Sequence, residues 1–159
     1  MSYDALRKGR HSRPYQAYLV TTVTRNRRPW FNDIFAARLL IHELRQLEEN
    51  GAVNSLAWVV MPDHLHWLLQ LNENSCLPQL IKSLKARSAL TINRYFQEKG
   101  SLWQRAYYDR AVRQEEDIRQ IARYLVANPL RAGLVQNIGD YPHWDCTWMT
   151  DRDVGVLVE

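Results

Sequence analysis

The sequence predicts an α+β fold, an antiparallel sheet with helices on one face, and three observations predict it. Apolar residues recur with periods of two and 3.6 in the order β-α-β-β-α-β, and one more helical stretch follows. Two strand-like runs, Val53 to Met61 and His64 to Leu71, are separated only by Pro62-Asp63, so they turn back on each other as a hairpin. Each helical stretch carries one apolar stripe, enough to pack on one face of a sheet.

The elements follow in order. Residues 1–14 are irregular and basic, with Arg7, Lys8, Arg10 and Arg13 forming an arm suited to phosphate contacts. Tyr15 to Thr24 alternates and is rich in β-branched residues, a first strand with Ala17, Leu19, Thr21 and Val23 on one face. Arg25, Arg27 and Arg28 make a basic loop before Pro29, Trp30 and Phe31. Asn32 or Asp33 caps a first helix that runs to Glu49, with Ile34, Ala37, Leu40, Ile41, Leu44 and Leu47 on its stripe. Asn50-Gly51 ends it. The hairpin follows, then a loop at 72–75. A second helix spans Leu77 to Phe96, with Pro78 tolerated in its first turn. Leu77, Leu80, Ile81, Leu84, Ile92 and Tyr95 form its buried stripe, and Lys82, Lys85 and Arg94 lie off it. The stretch Leu102 to Val112 ends in a fourth strand. A third helix runs from Glu115 to about Asn128, its first turn acidic (Glu115, Glu116, Asp117) and its end set by Pro129. After Gly133 mostly loop is expected. This is the ferredoxin-like βαββαβ plan with an additional C-terminal helix.

With 159 residues, one domain is expected, and 46% apolar content supports a real core. Residues 1–142 are assigned to that domain and 143–159 to an acidic C-terminal tail. No apolar run is long enough to span a membrane, the N-terminus is no secretory signal, and two distant cysteines make no disulfide framework. A cytoplasmic protein is the expectation. The net charge of +4 is uneven: seven Lys/Arg and one acid in residues 1–28, but one Arg and five acids in residues 136–159. A basic front suits a polyanion, and the acidic tail is a candidate internal mimic of it. A solvated basic surface fits the same charges.

The chemistry concentrates at Met61-Pro62-Asp63-His64-Leu65-His66-Trp67. In a strand, His64 and His66 share a face, their Cα atoms ~7 Å apart, and Leu65, Trp67, Leu69 and Leu71 take the other. Two imidazoles so placed can converge on one metal ion. An isolated His-x-His pair is equally compatible with structural histidines. Four-ligand zinc spacing is absent, since Cys76 and Cys146 lie 70 residues apart. On the third helix Ile118, Ile121, Ala122 and Leu125 form the apolar stripe, and Tyr124 and Asn128 lie one turn apart on its flank. By themselves these two fit a packing tyrosine and a helix terminator. Trp30 and Trp103 could stack on unpaired bases or plug the core.

Three separated motifs make the sequence recognisable: Val60-Met61-Pro62-Asp63-His64-Leu65-His66, then Leu102 to Arg110 (LWQRAYYDR), then Arg123-Tyr124-Leu125-Val126-Ala127-Asn128-Pro129-Leu130-Arg131-Ala132-Gly133. Over roughly residues 14–142 the chain resembles the single-tyrosine HUH transposases, and most closely the bacterial REP-associated tyrosine transposases. The resemblance implies that His64 and His66 bind a divalent metal, Mg or Mn, with Asn128 as third ligand, and that Tyr124 is the nucleophile. It implies metal-dependent cutting and rejoining of single-stranded DNA through a 5′-phosphotyrosine. The expected partners are DNA hairpins of the REP/BIME type, contacted by the arm, by Arg25, Arg27 and Arg28, and by Lys82 and Lys85. The protein is expected to be a monomer or a homodimer. A phenol with a reference pKa of about 10 is only ~0.1% ionised at neutral pH, so the nucleophile needs help at the attack step. Tyr95, Tyr107 and Tyr108 are rival tyrosines. A hairpin-binding protein that does not cut, and a hydrolytic metallo-nuclease, are the other classes the residues allow.

Overall fold

The computed structural model describes residues 15–113 and 116–148. The arm residues Arg7, Lys8, Arg10 and Arg13, and Glu115, lie outside the described residues, as does the chain from 149 on.

Five strands form one antiparallel sheet in the order β4-β1-β3-β2-β5: β1 (Ala17–Val23), β2 (Val53–Met61), β3 (His64–Leu71), β4 (Tyr108–Ala111) and β5 (Trp144–Cys146). Helices α1 (Ile34–Glu49) and α2 (Leu77–Phe96) connect them, and α3 (Ile118–Val126) and a single turn α4 (Asn128–Arg131) follow β4. The first four strands have the ferredoxin-like arrangement that the order of elements predicts. The hairpin forms as expected, with Met61 paired to His64 across Pro62-Asp63.

The alternation along β3 decides where everything else goes. Leu65, Trp67, Leu69 and Leu71 point to one face and are fully buried with Leu40 and Leu44 of α1 and Ile81 and Leu84 of α2. Each fully buried leucine contributes roughly 1.5–3 kcal/mol, so this face carries most of the stability. Leu68 points to the other face and packs with Val59, Ala57 and the α3 stripe Ala122, Leu125 and Val126. The third helix therefore covers the sheet face that α1 and α2 leave open.

Three expectations need correction. Of the acidic residues expected in the first turn of α3, the described ones, Glu116 and Asp117, precede the helix. Asp117 is the N-cap, its carboxylate accepting from Arg119 N (2.9 Å) and Gln120 N (3.3 Å). Glu116 lies before it and binds Arg110 and Arg113 N instead. The helix also ends at Val126, not Asn128, and Asn128 opens the next turn. Finally, the stretch after Gly133, expected to be mostly loop, contains a strand. Trp144–Cys146 extends the sheet by pairing with Ala57–Val59. Three residues are too few to show a period in sequence, which is why this strand was not legible.

Candidate active site

His64 and His66 sit on β3, next to β1, and the register supplies their partners. Thr21 lies directly opposite His66 across the strands, and its Oγ1 is 2.8 Å from His66 Nδ1. Asp63, in the turn just before β3, places Oδ1 2.6 Å from His64 Nδ1. Both Nδ1 atoms are thus engaged, and both Nε2 atoms turn to each other at 3.1 Å, the rings nearly perpendicular at 84°. Burial pushes the His66 imidazole down to about 4, and the charges of His64 and Arg131 add to the effect. At neutral pH it is uncharged. Burial opposes ionisation of Asp63, but the hydrogen bond and charge of His64, with Arg27 at 3.4 Å, outweigh it and hold the carboxyl below its ordinary range.

The other half of the site comes from α3 and α4. Pro129 lacks the N–H that a continuing helix would give to the Leu125 carbonyl. Asn128 fills that vacancy, its side-chain Nδ2 donating to Leu125 O at 2.7 Å. This leaves the side-chain Oδ1 of Asn128 as a free acceptor among the described residues. Gly133, with φ +72°, then closes the turn: Leu134 N donates to Pro129 O and Gly133 N to Leu130 O, the paired bonds of a left-handed helix terminus.

A cavity of about 690 Å³ lies between β1, β3 and this helix pair. His66, Asn128, Tyr124, Thr21 and Arg131 all line it. Tyr124 is 69% exposed, its ring unburied although its neighbours Leu125 and Val126 are core. The rival tyrosines go elsewhere. Tyr107 is buried in the α1/α2 core, Tyr95 stacks on Phe35 at 5.8 Å, and Tyr108 is exposed on the edge strand β4 and does not line this cavity.

The proposed DNA contacts are dispersed. The loop of Arg25, Arg27 and Arg28 borders the histidine end, since Thr24 N donates to Asp63 O and Arg27 pairs with Asp63. Arg28 is held by Glu98 in a bidentate pair (2.6 and 2.7 Å) and lies over the Trp30 ring. Lys82 is exposed, and Lys85 bonds the carbonyls of Gln104 and Ala106. These two lysines line a separate cavity of about 430 Å³ on α2, the opposite side of the sheet from the histidines. Trp30 and Trp103 are both core residues, Trp103 donating to Ser88 Oγ at 2.9 Å.

The residues fit a divalent cation. If both Nδ1 atoms carry protons toward Asp63 and Thr21, two nitrogen lone pairs face each other at 3.1 Å, a repulsive arrangement unless a proton or cation lies between them. That separation is what two adjacent ligands on one ion show at metal–nitrogen distances of about 2.1 Å. The half-buried hydroxyl and carboxylate behind them are the usual outer partners of metal-binding histidines. Among the described residues no three His, Cys, Asp or Glu side chains come together, so a third ligand drawn from them would be an oxygen of another kind, such as the Asn128 amide.

A family model described as IS200-like transposase matches residues 14–128, most of the chain. The chain belongs to the IS200-like transposase family. Two curated relatives resemble this transposase-family chain. An Escherichia coli K12 REP-associated tyrosine transposase is 24% identical over 110 residues, covering 66% of this chain and 61% of its own length. A Haemophilus influenzae protein provisionally named as a REP-associated tyrosine transposase is 27% identical over 109 residues, 62% of each chain. The chain thus spans about three fifths of the length of these relatives. A solved REP-associated tyrosine transposase, bound to a REP hairpin, shares the fold with a TM-score of 0.72 at 23% identity, over 94% of this chain and 86% of that one. Among the described residues of this family member no helix is long and apolar enough to cross a membrane.

Sequence reasoning missed two residues of the site. Thr21 was assigned to the correct face of its strand, but only the register puts it on His66. Arg131 appeared only as part of a motif. Its guanidinium lies 3.7 Å over the Tyr124 ring and donates to the Tyr124 carbonyl at 2.5 Å.

Proposed function

We propose that this chain cuts and rejoins single-stranded DNA at REP-type hairpins, with Tyr124 as nucleophile and a divalent ion, Mg or Mn, held by His64, His66 and Asn128. The observation that carries this reading is one cavity lined by His66, Asn128 and the exposed Tyr124, with the second histidine 3.1 Å from the first. Family membership and the hairpin-bound relative support it.

Such an ion would withdraw charge from a non-bridging phosphate oxygen and fix the orientation of the phosphodiester. The protein supplies the rest. Tyr124 Oη forms a bond to phosphorus as the P–O3′ bond breaks. The phenolic proton leaves to solvent and the departing 3′ oxygen takes a proton up. The products are a 5′-phosphotyrosine and a free 3′-OH, and the new ester keeps the bond energy, so a 3′-OH can reverse the step without ATP. Asp63 and Thr21 hold the imidazoles in register, and the Asn128–Leu125 bond fixes the amide oxygen. Arg25 and Arg27, next to the histidine end, are placed to meet the DNA backbone.

The test uses a single-stranded REP hairpin labelled on the 3′ side of the cut, run on a denaturing gel with Mn or Mg. A labelled protein-sized band is expected, lost in Tyr124→Phe and in His64→Ala while hairpin binding by Tyr124→Phe persists. Binding by wild type with no covalent band across metals and hairpin variants would overturn the reading in favour of a hairpin-binding protein that does not cut.

A further inference from the structure

We propose that Arg131 is a further catalytic residue: it holds the Tyr124 ring from its face and offers its remaining N–H groups to the phosphoryl group that Tyr124 attacks. The assignment rests on the reading of Tyr124 as nucleophile.

Three observations carry it. First, the guanidinium carbon is 3.7 Å from the centre of the Tyr124 ring, a cation–π contact, and Nη2 donates to the Tyr124 carbonyl at 2.5 Å. One side chain therefore fixes both the backbone and the ring of an otherwise exposed tyrosine. Second, the charge is uncompensated. Arg110, which lines the same cavity, is neutralised by Glu116 through bonds of 2.8 and 2.9 Å. Arg131 has no carboxylate partner among the described residues; its side chain meets only Tyr124. A guanidinium carries five N–H donors in a planar fork, and one hydrogen bond to a carbonyl leaves most of them for an anion. Third, the anion it can reach is defined by the cavity. Arg131, Tyr124, His66 and Asn128 line the same space, and the group that must enter it to meet the tyrosine is a phosphodiester.

The local fold explains how a residue seven positions on reaches back. Helical side chains lean toward the N-terminus, so residue i+7 sits two turns on and on the same side as residue i. The break at Pro129 does not lose this phase, because Ala127 stays in right-handed helical geometry (φ −79°, ψ 0°) between α3 and α4. Only a long side chain with several donors spans two turns and caps a carbonyl at the same time.

In the reacting complex the Tyr124–phosphorus bond forms and the P–O3′ bond breaks, and negative charge is carried on the non-bridging oxygens throughout. A guanidinium placed beside the tyrosine stabilises that charge as the oxygens approach it. Removing one such preorganised donor typically costs ~10²–10³ in rate. A purely structural arginine would alter stability without changing how the rate depends on phosphate charge.

The experiment compares wild type, Arg131→Lys and Arg131→Gln in single-turnover cutting of the labelled REP hairpin, with hairpin affinity measured in parallel. The expected result is a rate of adduct formation reduced ~10²-fold or more in Arg131→Gln and less in Arg131→Lys. Affinity should stay within about threefold, since one phosphate contact is a small part of hairpin binding. The same variants are then tested on a hairpin whose scissile phosphate is a neutral methylphosphonate. There the penalty of Arg131→Gln should shrink to about threefold or less, because the charge it answers is gone. Equal penalties on both substrates, or no penalty on either, overturn the assignment. A second readout separates this from failure of the cutting reaction itself. Inorganic phosphate titrated into the wild-type protein should shift the Tyr124 ring resonances, and should not do so in Arg131→Gln. If wild type forms no adduct yet phosphate still moves the Tyr124 ring only when Arg131 is present, the cutting reading fails and the anion site at Arg131 stands. If phosphate moves the ring equally in both, the Arg131 assignment fails.

Discussion

Along β3, odd-numbered residues are sealed under α1 and α2, while His64 and His66 on the other face remain half-buried, His66 lining a cavity. The two faces differ in what their neighbours ask of them. Under α1 and α2, Trp67 is fully buried and its indole N–H is satisfied by Ser55 Oγ at 2.8 Å, so shape decides what fits. On the opposite face Leu68 alone is fully buried against α3, and the hairpin end is left to polar groups whose partners are Thr21 and Asp63. One strand thus carries a scaffold and a site separated by a single residue step. The comparison teaches that changes on one face should register as stability and on the other as chemistry.

The sharpest way to break that comparison is a pair of substitutions. Trp67→Ala should cost about 3–5 kcal/mol in urea unfolding, as expected for an aromatic side chain lost from a packed core. His66→Leu replaces a polar ring by a branched apolar side chain of comparable size and should change stability by less than about 1 kcal/mol, while abolishing cutting. Similar losses of stability from both would mean that the faces are not divided in this way.

Acid offers a smaller effect that belongs to the site face. The folded protein keeps His66 neutral down to about 4, whereas the unfolded chain takes the proton up near 6.5. Between these values the unfolded state binds more protons, so stability rises with pH across the window and falls as pH drops through it. The total is about 3 kcal/mol at most. His143, lowered by burial and by Arg38, acts in the same direction. Asp63 acts below the window, because its stabilisation is lost only as pH falls through a folded value beneath the ordinary one. Unfolding midpoints measured from pH 7 to 4 without divalent ions should show the slope, and it should flatten in His66→Gln. The smallest effect tests the partners behind the imidazoles. Asp63→Ala or Thr21→Val should weaken divalent-ion binding about 10–100-fold by calorimetry, with the fold intact.

Much of this was legible in the sequence because it depends on local period. The alternation of β3 gave the shared face of His64 and His66, and the stripes of α1 and α2 gave the covered face. The spacing of Tyr124 and Asn128 put them on one flank a helical turn apart, but their roles came from the resemblance, and Asn128 belongs to the turn after the helix and not to its end. What escaped depends on long-range register or on a broken phase. Thr21 reaches His66 only through strand pairing 45 residues apart. Arg131 reaches Tyr124 across a helix interruption that sequence reads as a stop. Asp117 caps α3 because its short carboxylate reaches the amides of Arg119 and Gln120, while Glu116 is drawn to Arg110. That Lys82 and Lys85 lie on the far side of the sheet from the histidines also needed the fold.

Pro129 has a consequence for the charge of the site. By leaving the Leu125 carbonyl without a backbone donor, it demands an N–H from the side chain at 128, which an amide has and an aspartate does not. The donors proposed for the cation are therefore two imidazoles and an amide, none of them a carboxylate, and the nearby carboxylate of Asp63 is committed to His64. A cation bound by such a set would keep its positive charge and need its counter-charge from elsewhere. In the proposed reaction the incoming phosphodiester would supply it. Ion and DNA would then tighten each other's hold by the same factor, so neither would need to bind strongly alone.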